Sequence, residues 1–157
     1  MRTAGLLAAA AVLIAGTAGA QQGATVRHAT GRFEVKLTPE AQAPASGGGM
    51  ATGRMALAKT FTGGMAGTAT GTMLSAGTPG DAMAYVAIDQ FRGTVDGKAG
   101  GFLLLHRGTM TKAGGGDLSI VIAPDTGTGA LAGIAGTLKI EVKGGVHTYD
   151  LAYTLPQ

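Results

Sequence analysis

The chain is expected to be all-β: an eight-stranded antiparallel sheet closed into a barrel, preceded by an N-terminal signal peptide. Three observations carry this expectation. Apolar and polar residues alternate in one stretch after another, as they do in strands with one buried face. The stretches are separated by strong turn signals, Gly63-Gly64, Asp96-Gly97 and Gly144-Gly145, which supply the positive φ angles of two-residue hairpins. No long segment shows a helical period. A meander of this size tends to curl and close, because closure removes exposed strand edges.

Residues 1–20 are read as a leader that is not part of the fold. Arg2 gives a positive start, Leu6 to Ala15 is an apolar run, and Ala18-Gly19-Ala20 fits a small-residue cleavage site. The run is shorter than the roughly 20 residues that a membrane span needs, and no second candidate follows it. The expectation is export, periplasmic or secreted, with cleavage after Ala20 and no stable membrane span. Taking 20 residues from 157 leaves a single barrel domain over residues 21–157, long enough for a core of its own. Arg2 is the only charge lost, so 11 basic and 9 acidic side chains remain, a net +2. The domain is nearly neutral despite a pI of about 9.5. It has no basic run with interleaved aromatics, so no nucleic-acid partner is expected. With no Cys there is neither a disulfide framework nor thiol chemistry.

The strands follow in order. Val26–Thr38 sets Ala29, Gly31, Phe33, Val35 and Leu37 against a polar face that includes His28, Glu34 and Lys36. Residues 39–49, rich in Ala, Gly, Pro and Ser, read as a flexible connection. Met55, Leu57, Lys59 and Phe61 mark strand two, and Met65–Ala76 strand three. Pro79-Gly80-Asp81 turns the chain into strand four, Met83–Val95. Gly100–Thr111 is strand five, Gly114-Gly115-Gly116 a loop, and Leu118–Ala123 strand six. The closing hairpin pairs Thr137–Lys143 with Val146–Leu155. Its second strand puts His147, Tyr149, Leu151, Tyr153 and Leu155 on one core face, where buried tyrosine hydroxyls seek partners. Phe102-Leu103-Leu104-Leu105 is apolar on both faces. An outward apolar strip on a barrel marks a subunit interface, so a homo-oligomer is expected.

Several stretches together resemble the DUF3224 family of small bacterial proteins. They are His28-Ala-Thr-Gly-Arg-Phe-Glu-Val35, Tyr85-Val-Ala-Ile88, Phe102 through His106-Arg-Gly-Thr-Met110, Pro124-Asp-Thr-Gly-Thr-Gly129, Leu131-Ala-Gly133, Gly136-Thr-Leu-Lys-Ile-Glu141 and His147-Thr-Tyr-Asp150. Each is short and glycine-rich; their order carries the resemblance. It implies an eight-stranded barrel of the allene oxide cyclase and dirigent type, oligomeric and with no established activity. The signal peptide and the Gly-rich connection depart from that pattern.

Reactive constellations are sparse. Gly127-Thr-Gly129-Ala-Leu-Ala132 matches a dinucleotide pattern but lies in β context, whereas a nucleotide fingerprint must open a helix in a βαβ unit; a turn needing positive φ explains it better. Ser46, Ser75 and Ser119 sit in no nucleophile-elbow motif. His28, His106 and His147 lie on three different strands without paired spacing, so neither a metal nor a cofactor is expected. His106 shares a face with Phe102, Leu104 and Met110, where an imidazole is either a satisfied core group or a general base. Lys59 interrupts the apolar face of strand two and is expected to snorkel to water, with a buried carboxylate as the alternative partner.

Eight strands enclose either packed side chains or one small ligand. The expected function is therefore binding of a small apolar ligand inside the barrel, with Phe102, Leu104, His106, Met110, Tyr149 and Tyr153 as candidate lining residues. The resemblance to allene oxide cyclase implies an alternative, a cyclase- or isomerase-like enzyme that shapes a hydrophobic substrate, with His106, Glu34 and Tyr149 as candidate catalytic groups. A structural oligomer with a filled barrel is the third reading.

Overall fold

The computed structural model describes residues 24–46, 50–78 and 81–156. The leader, residues 47–49 of the expected connection and the Pro79-Gly80 part of the expected turn lie outside them. The described chain forms β1 (Arg27–Ser46), β2 (Met50–Gly63), β3 (Met65–Gly77), β4 (Met83–Val95), β5 (Lys98–Met110), β6 (Gly116–Ile122), β7 (Thr128–Gly129), β8 (Ala135–Lys143) and β9 (Val146–Thr154). All pairings are antiparallel. The sheet runs β4-β3-β2-β1-β9-β8-β6-β5, and β4 also pairs with β5, which closes it as an eight-stranded barrel. The two-residue β7 only clips a loop to β5. None of the described residues forms a helix long and apolar enough to cross a membrane.

The hairpin turns lie where glycine and aspartate permit them. Asp96 and Gly97 have φ of 47° and 78°, and Gly144 and Gly145 have 58° and 78°, the left-handed pair that matches strand twist. One expectation is corrected. Residues 39–46, read from composition as part of a flexible connection, are extended and paired with β2, from Pro39↔Met55 to Ser46↔Met50. Register shifts at Pro39/Ala41 and Ala43/Ser46 absorb the prolines as irregularities in the ladder. The partner strand holds the backbone there, although the local sequence shows no alternation.

The barrel has a closed end and an open end. At the closed end Phe33 stacks on Phe61 with centroids 5.2 Å apart, Phe61 meets Phe91 and Tyr149 edge-on at 5.7 and 5.5 Å, and Phe91 lies 5.0 Å from Phe102. Offset and edge-to-face arrangements of this kind add to simple area burial. The loop after β6 plugs this end with the buried side chains of Leu131 and Ile134. The plug is clasped to β5: the Gly101 and Leu103 amides donate to Thr128 Oγ1 and Thr126 Oγ1 at 3.0 and 3.1 Å. Two tyrosines of β9 lock the same end. The Met65 amide donates to Tyr149 Oη at 2.7 Å, and that hydroxyl has the carbonyls of Thr62 and Met65 as acceptors at 3.0 and 3.1 Å. Tyr153 Oη donates to Asp96 Oδ2 at 2.7 Å.

Towards the other end, residues on the same inward faces lose their cover. Leu37 is 51% exposed, Met110 53%, Leu118 44% and Val142 61%, while Met55, Met73 and Tyr85 are half-buried. The wall also steps down on one side. The β8–β9 hairpin turns at Gly144-Gly145, level with Phe33 on β1, yet β1 runs on to Ser46 without a β9 partner. An open groove of about 690 Å³ lies in this step, lined among others by Phe33, Val35, Thr60, Thr62 and His147.

Candidate functional site

Where the filled half of the barrel meets the open half, three charged or polar side chains converge. Lys59 of β2 donates from Nζ to Asp89 Oδ2 of β4 at 2.5 Å. His106 Nε2 of β5 lies 3.1 Å from the same oxygen. All three are buried, and Asp89 is only 1% exposed. Apart from this close contact, His106 Nε2 has no hydrogen-bond partner among the described residues, and Asp89 Oδ1 has none either. Buried polar atoms are nearly always satisfied, so two orphans side by side are unusual.

Cross-strand register explains how they meet. Paired residues on antiparallel strands point to the same face. One inward row runs Val35–Lys59–Ala69–Phe91–Phe102, the next Leu37–Leu57–Gly71–Asp89–Leu104, and the next Met55–Met73–Ala87–His106–Ile120. The three polar residues therefore stand on successive rows. Between β2 and β4, strand β3 offers only Ala69 opposite Lys59 and Gly71 opposite Asp89, so the lysine and the carboxylate can join over it. A Cβ on Gly71 would come within 2.5 Å of Asp89 Oδ1. Gly108 makes similar room for Tyr85, whose ring lies over it one row nearer the mouth.

The electrostatics follow from this packing. Burial alone would raise the Asp89 carboxyl; His106 and the hydrogen bond and charge of Lys59 outweigh it and hold the carboxyl below its ordinary value. Of the two partners Lys59 is the better aligned, and we attribute the net effect chiefly to it. Tyr85 is pushed up, first by burial and then by the Asp89 charge. Lys59 also points towards the Phe33 ring, 5.8 Å from its centroid. The cluster combines a carboxylate with a free lone-pair edge, an ammonium with N–H groups to spare, and an imidazole. It can hold a polar head group or move a proton.

The sequence-derived candidates are spread more widely. His106 is in the cluster, and Met110 stands above it at the exposed rim. Phe102 and Leu104 are core residues directly beneath. Tyr149 and Tyr153 are the hydroxyl locks of the closed end, and Tyr149 is raised by burial. Glu34 is on the outer face, at the edge of the groove. Lys59, expected to snorkel, instead takes the buried carboxylate. Asp89 was missed, although alternation along β4 places it with Tyr85, Ala87 and Phe91, and an acid on an aromatic face is a readable signal. The other histidines lie elsewhere: His28 pairs with Asp150 on the surface at 2.8 Å, and His147 packs on Phe33 at 5.0 Å. Among the described residues no group of three His, Cys, Asp or Glu could hold a metal ion.

These features define a small, closed, eight-stranded antiparallel β-barrel with a plugged end and a polar layer beneath an open mouth. The chain belongs to the DUF3224 family, described as proteins of unknown function, whose model matches residues 29–153. It is similar to the crystal structure of a protein of unknown function from that family in Shewanella oneidensis MR-1. The two are 41% identical with a TM-score of 0.77, over 85% of this chain and 100% of that one. No curated protein matches the chain.

Proposed function

We propose that this protein is an exported barrel that binds a small apolar molecule in the open half of its lumen. The observation that carries the proposal is the set of inward-facing yet uncovered side chains at the mouth, Leu37, Met110, Leu118 and Val142, standing over the buried Lys59–Asp89–His106 layer. Binding sites commonly combine an apolar wall with a few converging polar groups, and methionines such as Met55 and Met73 adapt to varied shapes. The test is a melting series of the mature domain against a library of hydrophobic compounds, since a ligand that binds only the native state raises its melting point. Several stabilising compounds are expected; none at saturating concentration would overturn the proposal.

A cyclase- or isomerase-like activity is favoured by one specific observation, the ionised Asp89 beside His106, a pairing suited to proton transfer. It predicts that a stabilising ligand is also turned over. The outer face of β3–β5 supports a homo-oligomer: Leu74 pairs with Val86 and Ile88 with Leu105, and all four are exposed. Such a patch on a soluble barrel marks a contact surface. Export rests on the leader, which the family match leaves outside. Mass spectrometry of exported protein should find residue 21 at the amino terminus.

A further inference from the structure

We infer that the ligand enters head first and carries an uncharged head group that both accepts and donates hydrogen bonds, such as a carboxamide or lactam, on an apolar body. This rests on the proposed ligand-binding function and specifies its chemistry. The polar layer contributes one acceptor edge, Asp89 Oδ1, and one further nitrogen, His106 Nε2, both without a hydrogen bond among the described residues. Lys59 has ammonium hydrogens beyond the one given to Asp89 Oδ2. A carbonyl oxygen can accept from Lys59 while its neighbouring N–H donates to Asp89 Oδ1, so one planar group satisfies both sides of the ion pair.

Other head groups fit less well. A carboxylate would be set against Asp89, which is held ionised. An alkylammonium would face Lys59. Either would add an uncompensated charge to a layer that already contains a matched pair, and a buried unpaired charge is strongly unfavourable. A pure hydrocarbon leaves both orphan atoms as they are. An alcohol can serve one partner well but lacks the fixed spacing of an amide.

The way in is from the mouth. Neither orphan atom touches solvent, so a side chain above them must move. We assign this movement to Tyr85, which is near enough to feel the Asp89 charge. It stands one row nearer the mouth, is half-buried, and makes no hydrogen bond among the described residues. Its ring lies against Gly108, and its rotation is the opening movement that the inference requires.

The experiment is calorimetric titration of the mature protein with octanamide, octanol, octanoate and octylammonium, whose octyl bodies are alike. Octanamide is expected to bind at least about tenfold more tightly than octanol, the effect of one additional well-formed hydrogen bond, with the two ions weaker still. The His106 imidazole resonance should move on adding octanamide. The double variant Lys59→Met/Asp89→Leu removes both charges together. It should lose the preference for the amide over octanol. Equal binding of all four compounds to wild type overturns the head-group inference and leaves the apolar-mouth proposal standing. Retention of the amide preference by the folded double variant, or a silent His106 resonance, overturns it too. If none of the four binds, the underlying binding proposal fails and takes the inference with it. Should the double variant not fold, the wild-type order and the His106 signal still decide.

Discussion

Lys59→Met isolates the energetics of the buried layer. Methionine keeps most of the aliphatic stem and removes the ammonium, leaving Asp89 charged, 1% exposed and without its best-aligned partner. Breaking a buried pair from one side costs about 3–5 kcal/mol. For a domain of this size that is a fall in melting temperature of roughly 10 °C or more. The loss should depend on pH. In the wild type the Asp89 carboxyl is held below its ordinary value, so its stabilising contribution is present above about pH 4 and is lost as pH falls through the lowered pKa. In the variant His106 alone still opposes the burial effect, so the carboxyl moves up from its wild-type position. The variant can then take a proton at higher pH, and its deficit should shrink as pH is lowered from 7 towards about 5. Adding Asp89→Leu, which preserves the branching at Cγ, should recover most of the loss, because apolar replacement of a whole buried pair is often neutral or stabilising. The assay is thermal and denaturant unfolding of wild type, both single variants and the double across that pH range. A Lys59→Met deficit below about 1 kcal/mol at neutral pH would refute the reasoning, as would a double variant no more stable than the single.

Three further outcomes are expected. Tyr149→Phe deprives the Met65 amide of its 2.7 Å acceptor and should cost about 1–3 kcal/mol in denaturant unfolding, the penalty of a buried unsatisfied donor. Tyr149 and Tyr153 are both raised, in each case first by burial. Their neutral forms therefore stabilise the fold below about pH 10, and that contribution is lost as pH rises through the raised values; phenolate absorbance should appear together with unfolding rather than before it. Ile88→Lys places a charge in the outer apolar patch, so light scattering should report a smaller species with little change in melting temperature.

Much of the architecture was legible because the signals are local. Alternation gave the limits of β4 as Met83–Val95, and Asp96-Gly97 and Gly144-Gly145 adopt the positive φ that their turns require, whereas at Gly63-Gly64 only Gly63 does. What was not legible is set by long-range register. Residues 39–46 carry no alternation, and only pairing with β2 makes them strand. Lys59 and Asp89 are each visible as polar intruders on apolar faces, but they lie 30 residues apart on strands that are not neighbours. Their meeting depends on β3 presenting Ala69 and Gly71 at the crossing, a consequence of pairing that neither strand reveals by itself. The tyrosines illustrate the converse. Alternation correctly sent Tyr149 and Tyr153 inward, yet only the fold shows their hydroxyls committed to the closed end and unavailable to the mouth.

The placement of the polar layer is itself an argument about function. A buried ion pair is weak evidence for stability, since well-packed apolar residues generally serve as well or better. This barrel uses such residues where stability is at stake: in the row below Asp89 every position but Lys59 is apolar, with Ala69, Phe91 and Phe102 closed off by Leu131 and Ile134. The polar layer instead requires small residues beside it, Gly71 beneath the Asp89 carboxylate and Gly108 beneath the Tyr85 ring, and glycine within a strand weakens it. Two weakening residues, one buried charge pair and two atoms without hydrogen-bond partners thus gather within four successive rows of the barrel. Those rows are where the packed aromatic floor gives way to the uncovered leucine, methionine and valine side chains of the mouth. Stability does not call for this arrangement, and that is the ground on which the binding proposal rests.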